Sequence, residues 1–176
     1  MVVAALAASC SSTPSGPSGT ANQLVDAGLA AESAGNVNQA FADYQAAAAK
    51  DPNNQYAPYD LGYIYQQRGD TKDAAAEYRQ ALLIDPKFGD ALYNFGVLET
   101  PIDPASAISY FRQDLAVAPT NASANFNLGV LLIKQGETTE GDSYVQTGIN
   151  LNPALASDLP AGISLPTTTT TTAPKH

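Results

Sequence analysis

The chain has 176 residues and a formal net charge of −9, with 44% apolar residues and only 14% charged residues. Eight lysines and arginines leave no basic stripe for phosphates, which argues against nucleic-acid binding. The single Cys10 excludes an internal disulfide and a cysteine zinc site, and the single histidine, His176, lies at a terminus that cannot hold a catalytic triad rigidly.

The N-terminal end is a short apolar segment that finishes at a cysteine. Residues 1–10 read Met-Val-Val-Ala-Ala-Leu-Ala-Ala-Ser-Cys, and residues 11–19 are rich in Ser, Pro and Gly. This arrangement resembles the end of a bacterial lipoprotein signal. It implies lipidation at Cys10, a flexible tether over 11–19, and a reading frame that starts further upstream with basic residues. The alternatives are an exported soluble protein cut at Ala5-Leu6-Ala7, and a cytoplasmic protein with an incidental cysteine.

Residues 20–159 repeat themselves with a period of 33 or 34 residues. A fixed period of this length is typical of a stacked array of helical units. The recurring glycine permits close approach of two helices, and the recurring proline ends the second helix of each unit. The glycines are Gly28, Gly62, Gly96 and Gly129, and the prolines are Pro52, Pro86, Pro119 and Pro153.

The repeated pattern resembles that of the tetratricopeptide repeat (TPR) family. The second copy shows it in Leu61-Gly62-Tyr63, Gly69, Ala74, Tyr78, Ala81 and Pro86. The resemblance implies an all-α fold, an α-solenoid of about four antiparallel helix pairs, with copies near 21–54, 55–88, 89–121 and 122–155. We predict first helices over 21–34, 55–68, 89–99 and 122–135, and second helices over 37–50, 71–84, 104–117 and 138–151.

Two copies depart from the pattern. The third replaces the turn glycine with the stretch 100–104, Thr-Pro-Ile-Asp-Pro, so its first helix should stop early. The fourth has Gly141 and Gly148 where earlier copies have alanine. Because glycine is a poor helix former, this predicts that the last helix is the least stable. It also predicts that a larger residue at Gly148 costs less than Ala81→Leu in the second repeat, or even stabilises.

The C-terminal end combines a short cap with a low-complexity tail. Residues 154–159 are long enough only for a stub of a capping helix, and we expect Ile163 and Leu165 to fold back over the exposed end. The segment 160–176 contains a run of threonines with prolines, a composition typical of an extended, solvated tail. An O-glycosylated stalk is the alternative.

In TPR proteins the first helix of each pair lines a concave groove that holds an extended peptide or a partner helix. By resemblance, this groove includes Val25, Asp26, Leu29 and Tyr56. An asparagine amide suits a peptide backbone because it both donates and accepts, and aromatic strips are typical of binding hot spots. The alternatives are solvated asparagines and aromatic packing between repeats. The residues that we predict to bind a peptide are Tyr59, Asp60, Tyr63, Tyr93, Asn94, Val97, Phe126 and Asn127.

The charge of the groove predicts the kind of partner. Asp26, Asp60 and Asp90 face Lys134 alone, which favours a neutral or basic protein or peptide over an acidic one. No carboxylate pair converges in a recognisable cleft, so we expect no catalysis, no cofactor and no metal. The resulting hypothesis is a protein–protein interaction scaffold at the cell envelope, held to the membrane only through lipid on Cys10. The alternative is an architectural spacer or assembly subunit of an envelope complex without a peptide ligand.

Overall fold

The computed structural model describes residues 19–164, which contain eight α-helices and one short 3₁₀ helix. The described residues include no β-strand, in agreement with the predicted all-α class. The predicted lipid site Cys10, most of the tether and the threonine tract lie outside them. The helices are α1 (Ala21–Ser33), α2 (Val37–Lys50), α3 (Tyr56–Arg68), α4 (Thr71–Ile84), α5 (Gly89–Glu99), α6 (Pro104–Val117), α7 (Ala122–Lys134), α8 (Thr138–Leu151) and the 3₁₀ helix (Pro153–Asp158).

The α-helices pair as hairpins in chain order, and each second helix packs against the first helix of the next pair. All eight begin and end within one residue of the predicted positions. The first helices α1, α3 and α5 also touch one another in sequence, so they form one continuous face of the solenoid. Buried side chains form several clusters along this row rather than one central core. This is the arrangement expected of a stacked repeat array.

An aromatic ring packed onto a glycine closes each of the first three hairpins. Tyr78 is fully buried, and its ring covers Gly62 so closely that an added Cβ would lie 2.8 Å from the ring. The hydroxyl of Tyr78 donates back to Oε1 of Gln66 at 2.7 Å. Glycine fits this position because a Cβ would press on the ring of Tyr78, which would have to shift. The same arrangement joins Gly28 to Tyr44 and Gly96 to Phe111.

The turn of the third hairpin differs from the others, as the sequence predicted. Gly35, Gly69 and Gly136 hold left-handed turns with φ between 79° and 93°. In the third hairpin α5 ends early, at Glu99, and the next helix begins with Pro104. Asp103 caps that helix, and its carboxylate accepts from the backbone N–H groups of Ala105 and Ser106.

The expectation that a larger residue at Gly148 could stabilise the fold is wrong. A Cβ at this position would lie 2.8 Å from the backbone oxygen of Ala122 and 2.9 Å from the backbone nitrogen of Phe126. Gly141 is equally crowded, since its Cβ would lie 2.7 Å from the backbone oxygen of Gly129. Backbone atoms of a packed helix cannot rotate away as a side chain can, so the helix propensity gained by substitution is outweighed by overpacking. The glycines of α8 serve close packing against α7.

The C-terminal segment covers the end of the array. Leu155, Leu159 and Ile163 pack against a buried cluster formed by Phe126, Val130 and Val145. The 3₁₀ helix is capped by Asn152, whose side chain accepts from the backbone of Ala154. The predicted cap and the return of Ile163 are therefore present, whereas Leu165 lies outside the described residues. The 3₁₀ helix packs against α8, where in this array the first helix of a following repeat would stand.

Candidate binding groove

The predicted binding residues lie on the face formed by the first helices. Each lies at a fixed sequence distance from the glycine that recurs in every repeat, so equivalent positions are occupied on α3, α5 and α7. Tyr59, Tyr93 and Phe126 share one position, and Asp60, Asn94 and Asn127 share the next. The described part of this face contains no group of three or more acidic, histidine or cysteine side chains arranged to hold a metal ion.

Hydrogen bonds join these two positions between neighbouring repeats. Nδ2 of Asn94 donates to the hydroxyl of Tyr59 at 3.0 Å, and Nδ2 of Asn127 donates to the hydroxyl of Tyr93 at 3.4 Å. We call this row of contacts the tyrosine–asparagine ladder. It was not foreseen from the sequence, although the 35- and 34-residue separations of its partners are each one residue more than the repeat period at that step.

The ladder leaves polar groups available to a ligand. The side-chain oxygens of Asn94 and Asn127 have no donor among residues 19–164, and no polar side-chain atom there is both inaccessible and unpaired. Both oxygens therefore reach solvent. Burial, followed by the nearby Asp90 and Asp60, raises the pKa of Tyr59 to about 12. Its hydroxyl stays protonated at neutral pH and keeps a proton to donate.

The aromatic residues of the predicted strip have different environments. Tyr59 is half-buried against Phe88, at 5.0 Å between ring centroids, and Tyr93 is half-buried against Phe111 at 5.9 Å. Phe126 is buried beneath the C-terminal segment, and Val97 packs into the cluster between the third and fourth repeats. Tyr63 alone among the predicted aromatics is exposed, at 38%. The structure thus brings the predicted residues onto one face but assigns several of the rings partly to packing.

The largest exposed apolar surface of the groove lies further toward the N-terminus. Leu29 is 46% exposed and Tyr56 is 47% exposed, and both border a cavity of about 380 Å³ between α1 and α3. The remaining lining residues are Asn22, Val25 and Asp26. Register placed these residues in the groove, apart from Asn22, but gave no reason to rank them above the aromatic strip, because exposure depends on which neighbours cover each side chain.

Asp60 is the one residue of the shared position that has no ladder partner. The tyrosine position of the preceding first helix, α1, is occupied by Val25, which has no hydroxyl. Asp60 is only 9% exposed, and its side chain makes no hydrogen bond with any described residue. Burial, with a smaller contribution from Glu32, raises the pKa of Asp60 to about 7. A carboxylate in this state is costly to bury, because charge loses its hydration there.

Sequence models of the tetratricopeptide repeat match two parts of the chain, residues 31–97 and residues 122–155. The chain belongs to the TPR family. Proteins of this family serve in general as protein–protein interaction scaffolds, and this broad class fits the present chain. No curated protein sequence matches it.

Solved TPR structures share the fold. MamA from Desulfovibrio magneticus RS-1 aligns with a TM-score of 0.67 at 21% identity, over 76% of each chain. YrrB, described as "a TPR protein with an unusual peptide-binding site", aligns with a TM-score of 0.69 at 22% identity, over 78% of this chain and 71% of its own. PilF of Pseudomonas aeruginosa aligns with a TM-score of 0.67 at 23% identity, over 76% of this chain and 61% of its own. At these identities the likeness concerns the fold alone.

Proposed function

We propose that this TPR protein binds an extended peptide segment of a partner protein along the face of α1, α3 and α5. The observation that carries the proposal is the pair of exposed apolar side chains Leu29 and Tyr56 that border the cavity between α1 and α3, together with the exposed Tyr63 further along α3. Exposed aromatic groups on a rigid face lose little entropy on binding and dominate contact energies in many interfaces. The peptide-binding site named for YrrB, which shares the fold, supports a similar use of the scaffold here.

The polar groups of the ladder suit the backbone of such a peptide. The open side-chain oxygens of Asn94 and Asn127 accept from peptide N–H groups, and the hydroxyl of Tyr59 donates to a peptide carbonyl. Because the ladder already fixes these side chains, their ordering costs little when a ligand binds. This pairing explains how residues can both join neighbouring repeats and face a partner.

The charge on the groove favours a neutral or basic partner. Asp26 and Asp90 are exposed on the first helices, and the chain as a whole carries a formal net charge of −9. Such a field speeds encounter with basic segments and disfavours acidic ones, and the effect weakens as salt rises.

We further propose that the protein works at the cell envelope, tethered through lipid on Cys10. The sequence of residues 1–19 supports this proposal, and cytoplasmic residence is the alternative. No helix among the described residues has the length and apolarity needed to cross a bilayer. Expression of the whole reading frame with an alkyne-tagged fatty acid tests the tether: the wild type should be labelled and Cys10→Ser should not. Equal labelling of both would contradict it.

Selection of random peptides from a phage library on the immobilised full chain tests the groove. Tyr63→Ala should weaken the selected peptides about tenfold or more, because an exposed aromatic in the groove is lost. Leu83→Ala is the matched control, since Leu83 lies on α4 and is 77% exposed. Selection of no peptide would favour the architectural spacer, and equal losses in the two variants would place binding outside the groove.

A further inference from the structure

The tyrosine–asparagine ladder is interrupted between the first and second repeats. In the later repeats the amides of Asn94 and Asn127 meet a tyrosine hydroxyl from the preceding first helix. At the first step, Asp60 occupies the amide position and Val25 occupies the tyrosine position. Two differences from the later repeats thus coincide: a carboxylate replaces the amide, and the tyrosine hydroxyl that could have hydrogen-bonded to that carboxylate is missing.

The carboxylate of Asp60 keeps an opening toward solvent. Among residues 19–164 every polar side-chain atom that solvent cannot reach has a hydrogen-bond partner. Asp60 has no such partner, so its oxygens must be reachable although the residue is only 9% exposed. On α3, Asp60 lies one turn after Tyr56, which lines the cavity together with Val25, Asp26 and Leu29, so Asp60 adjoins that cavity without being one of its lining residues.

The groups around Asp60 are acidic or phenolic. Glu32 on α1 faces it, and Tyr44 on α2, Tyr78 on α4 and the adjacent Tyr59 are close enough to feel its charge. The hydroxyl of Tyr44 already donates to Oε2 of Glu32 at 2.9 Å, and that of Tyr78 donates to Gln66. None of the described ion pairs involves Asp60 or Glu32. The neighbourhood therefore holds two carboxyl groups with no cation.

We propose that Asp60, with Glu32 beside it, receives the cationic side chain of a lysine or arginine from the bound partner. The charged end pairs with the carboxylate of Asp60, and the aliphatic stem lies against Val25 and Leu29 in the cavity of about 380 Å³. The inference rests on the proposed use of the groove, and it adds the residue type that the partner must present at its first-repeat end.

This pairing makes binding depend on pH. Because the pKa of Asp60 in the free protein is raised to about 7, the carboxyl group holds a proton for part of the time at neutral pH. A cation binds the ionised form, so affinity should rise as pH increases through about 7 and then level off, with release of a proton on binding. The three tyrosines, whose pKa values burial raises, stay protonated throughout this range.

A small probe tests the pocket without any peptide. The carboxyl carbon of Asp60 is followed by NMR across pH in the full chain, with N-acetyl-arginine methylamide or its uncharged citrulline analogue at millimolar concentration. The arginine compound should lower the pKa of Asp60, and the citrulline compound should leave it unchanged. An unchanged pKa with both compounds, or equal shifts with both, would overturn the inference even if the groove binds peptides.

A peptide library tests the pocket in its functional setting. The wild type should enrich lysine or arginine at one position, and Asp60→Asn should weaken those peptides about tenfold or more while retaining the other preferences. Asn is the natural residue at this position in the later repeats, so the variant should fold. Val25→Tyr should have the same effect at unchanged charge by restoring the ladder, whereas Asp73→Asn, on the exposed face of α4, is the acidic control outside the groove. A basic preference that persists in Asp60→Asn would overturn the inference, while failure to select any peptide would refute the proposed function instead.

Discussion

The second and fourth repeats close the same hairpin in two different ways. In the second, the ring of Tyr78 fills the space above Gly62. In the fourth, Val145 replaces the ring, and the backbones themselves approach, so that a Cβ on Gly129 would lie 2.6 Å from the backbone oxygen of Gly141. The smaller side chain is therefore matched by glycines that let the helices move together. One repeat depends on a large side chain and the other on the absence of side chains.

Truncation of the large ring should produce the largest effect. Tyr78→Ala removes a fully buried ring and should lower the free energy of unfolding by about 3–5 kcal/mol. Val145→Ala, the equivalent change in the fourth repeat, should cost about 1–2 kcal/mol because it removes far fewer buried atoms. Urea unfolding of both variants measures the difference. Equal decreases in the free energy of unfolding would show that the large ring matters no more in the second hairpin than the valine does in the fourth.

Adding a methyl group at the recurring glycine should destabilise the fourth repeat more than the second, which is the opposite of the order expected for side-chain truncation. Gly129→Ala should destabilise by about 1–3 kcal/mol, because its Cβ meets backbone atoms of α8. Gly62→Ala should cost less, since its Cβ meets only the ring of Tyr78, which can tilt. Both sites are helical, so the gain in helix propensity is the same. Thermal unfolding, with hydrogen exchange of α8 amides, reports the effect, and a more stable Gly129→Ala would refute the account of the fourth repeat.

The two repeats also differ at the amide position of the ladder, where the second has Asp60 and the fourth has Asn127. The pKa of Asp60 is raised from 3.8 to about 7 in the folded chain. The folded state then holds a proton that the unfolded state lacks between these pH values. The free energy of unfolding should therefore fall as pH rises through this window and stay low above it.

Asp60→Asn should remove the part of this pH dependence that comes from the Asp60 carboxyl group. The variant should be more stable than the wild type above a pH of about 7 and equally stable below about 4. Some slope should remain, because burial also raises the pKa of Asp114 to about 6. Urea midpoints across pH measure the effect. A variant that is less stable at high pH would mean that Asp60 makes favourable contacts that the structure does not show.

The smallest effect should come from the tyrosine hydroxyl. Tyr78→Phe keeps the ring over Gly62 and removes the hydrogen bond to Gln66, so it should cost about 1 kcal/mol. The fourth repeat has no counterpart of this bond, because Val145 has no hydroxyl. Comparison with Tyr78→Ala separates ring packing from hydrogen bonding. A loss as large as that of the alanine variant would assign the stability of the second repeat to the hydroxyl.

Local sequence signals were sufficient to predict the helices. Glycines such as Gly69 and prolines such as Pro86 punctuate each repeat, and the residues between them carry strong helix formers. The early end of α5 followed from Pro101 and Pro104 for the same reason. These signals act within a few residues of the structure that they determine, so the repeat register places them accurately.

Contacts between repeats were harder to predict. Helix propensity alone gave the wrong sign for Gly148, because the crowding there comes from the backbone of α7. Register placed Phe126 on the groove, but it could not show that the C-terminal segment covers it. The buried Asp114, whose carboxylate accepts from Nδ2 of Asn121 at 2.7 Å, stands where other repeats have alanine or glycine and was not foreseen. Each case depends on a neighbour that only the folded chain supplies.

The candidate site, too, could be predicted from the sequence only in part. Sequence register correctly places Tyr59, Asn94 and Asn127 on one face, but the side-chain pairing that leaves Asp60 alone is visible only in three dimensions. Their role in binding stays a prediction, as does lipidation of Cys10.

The groove is tested most directly by mapping a selected peptide onto the full chain by NMR. The account predicts that the largest amide shifts fall on α1, α3 and α5, with Asp60 and Tyr63 among the residues affected. Shifts concentrated instead around Leu83 on α4 and Val117 on α6, which are also exposed apolar residues, would contradict it. Binding would then use the second-helix face of the solenoid, and the groove would have no role in recognition.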